Sequence, residues 1–359
     1  MPYSIHIVAH GARTPIGLQA APSAAAVRAG ISRIREHPFL MDKAGQPVMC
    51  AFDSLLDSKL MGVNRMLALA EPALREACMP LTNVAGPLQR VPIYMGLPEK
   101  RPGFGERDIE QFRRGIEQIE GLPIQLSSVN LIPQGHAAGL LALKLAFEHL
   151  QKGTSEACLV GGVDSYLQPD TLEWLDDHLQ LARAEARSAF VPGEGAGFCL
   201  LVGSRTANRF GWNSLARVRS VSSGQETRLI KTPEVCVGEG LTTAVRSAVS
   251  DLSLPAEKIH HVICDINGER YRGEEWGFCC LRLSSYFEDP SAYRTPVDCW
   301  GDMGAASGPL FAILACQATA RGYAKGPRTL LWASSEAGLR AAALLETSMH
   351  AGTRGLRHG

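Results

Sequence analysis

The sequence Phe190-Val-Pro-Gly-Glu-Gly-Ala-Gly197 carries the strongest information about the fold. Positions 193, 195 and 197 are alternating glycines, and an apolar stretch typical of a buried strand follows at residues 198–202. Glycine lacks a Cβ, so it permits positive φ and lets another backbone segment approach closely. This pattern predicts a tightly packed strand end at a buried interface.

Three other stretches combine small residues with apolar ones. Arg13-Thr-Pro-Ile-Gly17 lies near the start, Leu150–Ser165 contains the adjacent glycines Gly161 and Gly162, and the third reads Trp300-Gly-Asp-Met-Gly-Ala-Ala-Ser-Gly-Pro-Leu310. We expect the glycines of the second stretch to permit positive φ and close packing as well.

In order and approximate spacing, these four stretches resemble motifs of the thiolase-like superfamily, and of the β-ketoacyl-[acyl-carrier-protein] synthases in particular. The resemblance extends over nearly the whole chain. It implies an α/β protein with the thiolase fold, in which five layers, α/β/α/β/α, are built from two similar halves.

Apolar strand-like stretches alternate with helix-like stretches along the chain, which also favours an α/β architecture. The order seen in the first half is echoed in the second. We therefore divide the chain into an N-terminal half at residues 1–205, a C-terminal half at 206–349 and a basic tail at 350–359. Strands are predicted at 4–9, 91–96, 158–162, 198–202, 215–221, 261–266, 329–333 and 341–345, and helices at 61–78, 109–119, 137–152, 171–178, 241–251 and 304–320.

Composition excludes several classes of function. Lys and Arg together number 36, as do Asp and Glu, so the chain lacks the one-sided basic charge that binding to a nucleic-acid backbone requires. No apolar stretch approaches the ~20 residues that cross a bilayer, so we expect no membrane span. The first residues lack the features of a signal peptide, and we expect a cytoplasmic protein.

Ten cysteines are spaced unevenly, without a Cys-x-x-Cys pair, so we expect reduced core residues and neither a metal site nor a cofactor.

The resemblance also identifies the positions to test for catalysis. The family places a nucleophilic cysteine at the start of a buried helix, where the helix N-terminus favours the thiolate. Here that position is His136, and the chain has no cysteine between Cys78 and Cys158. Asn267 takes the place of the first catalytic partner, in Val262-Ile-Cys-Asp-Ile-Asn-Gly-Glu-Arg270.

The second partner position falls on Asp302, and Glu336 replaces the aromatic residue of the C-terminal gate. Because a missing nucleophile removes the covalent route altogether, we do not expect standard condensation.

Two interpretations of these residues remain open. If His136, Asn267 and Asp302 converge, Asp302 could orient His136 while Asn267 donates a hydrogen bond to a developing oxyanion. Alternatively, His136 caps its helix, Asn267 serves a turn and Asp302 is an acid at a helix start. We favour the second interpretation.

The leading hypothesis is a β-ketoacyl synthase-like pseudoenzyme that acts as a scaffold, an acyl-binding protein or a partner-binding protein. One alternative is an acyl-thioester hydrolase or acyltransferase that uses His136, and another is an accessory protein for effector secretion. The resemblance implies a homodimer formed edge to edge through the strand near Cys158, although a heterodimer with an active synthase is an alternative. An acyl-carrier protein, acyl-CoA or a secretion effector would be the further partner.

Overall fold

The computed structural model describes residues 4–347 except 83, 85, 184, 185, 187, 231 and 233, so the predicted tail at 350–359 lies outside the described residues. Strands and helices alternate, as the sequence predicted. The strands are β1 (Ile5–Arg13), β2 (Ile34–Met41), β3 (Pro47–Ala51), β4 (Arg90–Leu97), β5 (Gln125–Pro133), β6 (Ala157–Ser165), β7 (Glu194–Gly203), β8 (Ala216–Gln225), β9 (His261–Cys264), β10 (Tyr293–Arg294), β11 (Arg328–Ser334) and β12 (Leu339–Glu346). The helices are α1 (Ala20–Ala29), α2 (Gly62–Cys78), α3 (Glu106–Glu117), α4 (Ala138–Gln151), α5 (Pro169–Asp177), α6 (Ser204–Phe210), α7 (Glu239–Ala248), α8 (Arg270–Leu283), α9 (Val297–Trp300) and α10 (Ser307–Ala320).

Ten strands form one sheet in the order β10-β9-β11-β12-β8-β1-β7-β6-β4-β5, and β2 pairs with β3 in a separate hairpin. The sheet consists of two sets of five strands with the same topology. If each set is numbered along the chain, its strands lie in the order 3-2-4-5-1, with strands 2, 3 and 4 parallel and strands 5 and 1 antiparallel to their neighbours. The two halves are therefore similar, as expected for the thiolase fold.

The two sets meet where β1 pairs with β8 over three residues, Ile5 to Ile7. Helices α4 and α10 pack between the sets, α2 and α3 cover the outer face of the first, and α7 and α8 cover the second. This gives the predicted layers, α/β/α/β/α. The predicted boundary between residues 205 and 206 falls within α6, which links the sets, and it stays a prediction.

The prediction that β6, which contains Cys158, forms an edge-to-edge contact is wrong. β6 pairs with β4 on one side and β7 on the other, and all nine of its residues are buried. The edges of the ten-stranded sheet are β5 and β10. The apolar character of β6 therefore reflects burial on both faces of the sheet.

Close packing of backbones explains the glycines of β6. A Cβ on Gly162 would lie 2.2 Å from the carbonyl oxygen of Ala305, which precedes α10. The second expectation, positive φ, is wrong for all five glycines singled out by the sequence, Gly161, Gly162, Gly193, Gly195 and Gly197. These glycines lie in or beside extended strands. The close approach of neighbouring groups is therefore enough to explain why a side chain is excluded at these positions.

The glutamate of the Gly-Glu-Gly-Ala-Gly stretch is structural. The Glu194 carboxylate accepts hydrogen bonds from Nε and Nη2 of Arg65 on α2, at 2.5 and 2.6 Å, and one from the Ser165 hydroxyl at 2.9 Å. Arg65 and Glu194 are buried, so each charge is compensated by the other. This ion pair fixes α2 against the end of β7.

Among the described residues, no helix combines the length and the apolar character that crossing a bilayer requires.

Candidate functional site

His136 lies at the N-terminal mouth of α4, in a 3₁₀ turn formed by Gly135–Ala137. Gly135 has φ +70°, a conformation that favours glycine and turns the chain from β5 into the helix. His136 is buried, with 6% of its surface exposed. The residue at the mouth of the central helix is therefore an enclosed imidazole.

The His136 imidazole is paired with the Asp302 carboxylate. Nε2 lies 2.9 Å from Oδ1 and 3.0 Å from Oδ2 of Asp302, and the Tyr166 hydroxyl lies 3.3 Å from both Nε2 and Oδ1. A carboxylate only accepts hydrogen bonds, so Nε2 carries the proton that faces Asp302. The contact fixes the orientation of the imidazole ring.

Asn267, which follows β9, contacts the same carboxylate. Its Nδ2 lies 2.5 Å from Asp302 Oδ2 and 3.1 Å from Glu269 Oε2. The local turn roles are present as well, because Asn267 Oδ1 accepts from the Glu269 amide at 3.0 Å and Asp302 Oδ1 accepts from the Gly304 amide at 2.7 Å. The three residues that the sequence singled out thus converge while two of them also close turns.

A fully buried arginine, Arg272 on α8, adds a second cation. Its Nη2 lies 3.2 Å from His136 Nε2, its Nη1 donates to Asp265 at 2.5 Å, and its Nε donates to Glu269 at 3.0 Å. The contact with His136 brings two donors together, and the surrounding carboxylates compensate it. We call His136, Asp265, Asn267, Glu269, Arg272 and Asp302 the ionic cluster.

The protonation of the central pair follows from these contacts. Burial and the Arg272 guanidinium lower the pKa of His136, but Asp302 and Asp265 outweigh them, and the pKa lies above its usual value. Burial raises the pKa of Asp302, yet the His136 charge, the Arg272 charge and the Asn267 hydrogen bond hold it well below the ordinary range. Both shifts favour the imidazolium form of His136 and the carboxylate form of Asp302.

The cysteines do not supply the missing nucleophile. Burial raises the pKa of all ten thiols, and none is in a setting that stabilises a thiolate at neutral pH. Cys264 and Cys299, which lie three residues before Asn267 and Asp302, are buried core residues as predicted. At the mouth of α4, the Ala137 amide donates instead to the Ser335 hydroxyl, at 2.9 Å.

The cavity beside His136 has a volume of about 90 Å³. Its walls include Arg101, Asp164, Tyr166 and Phe190, and Arg101 donates to Asp164 at 2.6 Å while its guanidinium stacks on the Tyr166 ring, 4.2 Å from the ring centre. Pockets that hold small organic ligands usually measure ~300–1,000 Å³. The cavity beside His136 is therefore small for such a ligand.

Glu336, for which the sequence predicted the position of the family's gate, lines the same cavity. Gln180 Nε2 donates both to Glu336 and, at 2.8 Å, to Glu269. The Gln180 side-chain amide therefore connects the segment after α5 to Glu269 of the ionic cluster, and this segment covers the cluster.

One group of possible metal ligands lies apart from His136. Atoms of Glu226, Cys236 and Glu275 lie within 4.8 Å of one another. Glu275 is paired with Arg340 at 2.5 Å, and Cys236 Sγ donates to Glu275 at 3.3 Å. A cation at this position would have to displace the arginine, so the contacts present favour an ion pair.

Sequence reasoning missed Arg272, Tyr166 and Arg101. Arg272 follows Gly268-Glu-Arg-Tyr, a polar sequence that is typical of an exposed helix start, yet the residue is fully buried. Tyr166 directly follows the Gly161–Ser165 stretch, so its position next to a recognised motif was the one available signal.

Comparison with known proteins supports the fold and the family resemblance. Residues 135–207, which begin at the mouth of α4 and include the Gly-Glu-Gly-Ala-Gly stretch, match the family model for the N-terminal domain of β-ketoacyl synthases. No curated protein sequence matched the chain. This part of the chain is thus similar to a ketosynthase domain, and the resemblance predicted from the sequence is confirmed.

Solved structures of ketosynthases share this fold at low sequence identity. One contains a type II polyketide synthase acyl-carrier protein in complex with its ketosynthase bound to the hexaketide (TM-score 0.77, 15% identity, 97% of this chain and 100% of that chain). Others are the ketosynthase from module 6 of the bacillaene synthase from Bacillus subtilis 168 (0.74, 15%, 96% and 72%) and the ishigamide ketosynthase/chain length factor (0.66, 19%, 96% and 99%).

Proposed function

We propose that this protein is a ketosynthase-like pseudoenzyme that serves as a partner-binding scaffold. The observation that carries the proposal is the ionic cluster. It lies at the mouth of α4, where the related synthases are expected to have their nucleophile. A protonated His136 has no lone pair with which to attack a thioester, and the remaining cavity of about 90 Å³ is small for an acyl group.

The partner that we propose is a second ketosynthase-like subunit, which pairs along β5. β5 is an edge strand with three exposed residues, and the unpaired side of an edge strand can pair with another strand. One structural neighbour is a ketosynthase/chain length factor and another contains an acyl-carrier protein bound to its ketosynthase. These neighbours support a homodimer or a heterodimer with an active synthase, with an acyl-carrier protein as a further partner.

The test of the proposal is thiol release from acyl-CoA and from acyl-carrier protein by the purified protein. We expect release at the uncatalysed rate, both from the wild type and from His136→Ala. Release well above that rate by the wild type, lost in His136→Ala, would contradict the proposal.

A second candidate, a thioester hydrolase, is favoured by one observation. Asp302 fixes the His136 ring as a carboxylate orients the histidine of a catalytic triad, which would leave Nδ1 as the base or nucleophile. Two observations oppose this role. The raised pKa of His136 favours its protonated form, which cannot act as a base, and the Arg272 guanidinium crowds the imidazole ring.

A further inference from the structure

A cavity of about 480 Å³ lies between α1 and the end of α10, in a part of the molecule that the ionic cluster does not reach. Alanines 21, 24 and 25 of α1 line one side, and Arg28, Gln317, Arg321 and Tyr323 complete the wall. This volume lies within the range of small-molecule sites. The cavity combines an apolar surface with cationic groups.

The arginines in and near this cavity form no ion pairs within the described part of the chain. Among the described residues, no carboxylate lies within 4.0 Å of the guanidinium nitrogens of Arg28, Arg294 or Arg321. All three lie close enough to Tyr323 to lower the pKa of its phenol, although burial raises that pKa by more. Arg28 and Arg321, which line the cavity without a paired carboxylate, favour an anion.

The aromatic and polar side chains of the cavity indicate what kind of molecule carries the anionic group. The Arg28 guanidinium lies over the Tyr323 ring, 4.2 Å from its centre, and forms a flat surface on which another planar group can stack. Gln317 Nε2 lies 3.1 Å from His10 Nε2, and the lowered pKa of His10, caused by burial, keeps that imidazole neutral. His10 therefore accepts from the Gln317 amide and leaves Gln317 Oε1 as an acceptor for a donor on the ligand.

We propose that this cavity binds a nucleoside phosphate. The phosphate would pair with Arg28 and Arg321, the base would lie on the alanine surface beside Tyr323, and Gln317 would accept a hydrogen bond from the base or the ribose. Guanidinium forms bidentate hydrogen bonds with phosphate, and the rest of the ligand accounts for the apolar half of the cavity. The site is independent of the proposed scaffold function.

The test is calorimetric titration at low ionic strength with adenosine monophosphate, inorganic phosphate and adenosine. Adenosine monophosphate should bind saturably and at least tenfold more tightly than either inorganic phosphate or adenosine. Arg321→Ala should weaken that binding about tenfold or more, since a charge-assisted contact is lost. Arg107→Ala, at an exposed arginine of α3, is the matched control and should bind like the wild type.

Arg28→Ala, checked for folding by circular dichroism, gives a second variant with the same expected loss. Three results would overturn the proposal: no saturable binding by the wild type, equal binding of inorganic phosphate and adenosine monophosphate, or unchanged affinity in both arginine variants.

Discussion

Asp302 is the residue on which the other groups of the ionic cluster depend. Its carboxylate accepts from His136, Asn267 and the Gly304 amide, and it lies in the field of Arg272. It is 2% exposed, so water cannot replace these contacts. Removing its charge would leave two buried cations with fewer counter-charges.

Asp302→Asn should therefore lower the free energy of unfolding by about 3–5 kcal/mol, the range expected when one partner of a buried ion pair is removed. Urea unfolding followed by circular dichroism measures the change. The control is Asp251→Asn, because Asp251 is half exposed and pairs with Arg219 at the surface, where a loss of at most about 1 kcal/mol is expected. Equal losses in the two variants would contradict a charged, buried cluster.

His136 makes the stability of the protein depend on pH. Its pKa is raised in the folded state, so its contribution is fully present below the unfolded value of about 6.5 and is lost as the pH rises through the folded pKa. The difference in unfolding free energy between the wild type and His136→Gln should be larger at pH 6 than at pH 9. A difference that grows with pH would show that the imidazole is buried in its neutral form.

The sequence could predict the positions of His136, Asn267 and Asp302 because each lies within or beside a short contiguous motif. It could not predict Arg272, since the burial of an arginine at the start of a polar helix depends on which strands and loops surround that helix. The local sequence around Arg272 is typical of a solvated surface. Asp265 and Glu269 lie shortly before Arg272 in the chain, but Asp302, whose charge also acts on it, comes from a distant segment.

Among the secondary-structure elements, β6 packs closely against the turn that precedes α10. The Gly162 Cα faces the Ala305 carbonyl, and Gly139 on α4 faces Pro309 on α10, where a Cβ would lie 2.4 Å from the proline ring. These contacts bring the turn that carries Asp302 to the mouth of α4. The glycines therefore position the cluster as well as the sheet.

Gly162→Ala should lower the free energy of unfolding by about 3 kcal/mol or more, because the new methyl group would overlap a backbone oxygen that cannot move alone. Thermal unfolding and urea unfolding both measure this. Gly277→Ala in α8, where a Cβ would meet nothing within 4 Å, is the control and should raise stability by up to about 1 kcal/mol. A tolerated alanine at position 162 would contradict the close backbone contact.

Eight of the twelve strands in the described residues were predicted, but β2, β3, β5 and β10 were not, and the predicted role of β6 was wrong. An apolar strand flanked by small residues was interpreted as an edge, whereas a strand that is apolar on both faces belongs inside a covered sheet. Strand order depends on pairings between distant segments, and the periodicity of a single strand does not contain that information. The edge strand β5 has the exposed residues that an edge in water requires.

For the molecule as a whole, the repeated 3-2-4-5-1 topology leaves β5 as the long open edge of the first half. The proposed partner subunit would extend the sheet there. A charge in an edge strand opposes pairing with another strand.

Ser127→Lys, at an exposed position of β5, should shift the protein from dimer to monomer in size-exclusion chromatography with light scattering at micromolar concentration. Ser253→Lys, at an exposed serine outside the sheet, should leave the mass unchanged. A dimer that persists in Ser127→Lys would place the contact elsewhere on the surface.

We propose that the ionic cluster at the mouth of α4 lies at the position where a condensing enzyme forms its acyl intermediate. Intact-protein mass spectrometry after incubation with excess acyl-CoA or acyl-carrier protein tests this most directly. We expect an unmodified mass, because the raised pKa of His136 favours its protonated form and burial raises the pKa of every thiol. A stoichiometric acyl adduct that peptide mapping assigns to His136 or to any cysteine would contradict it.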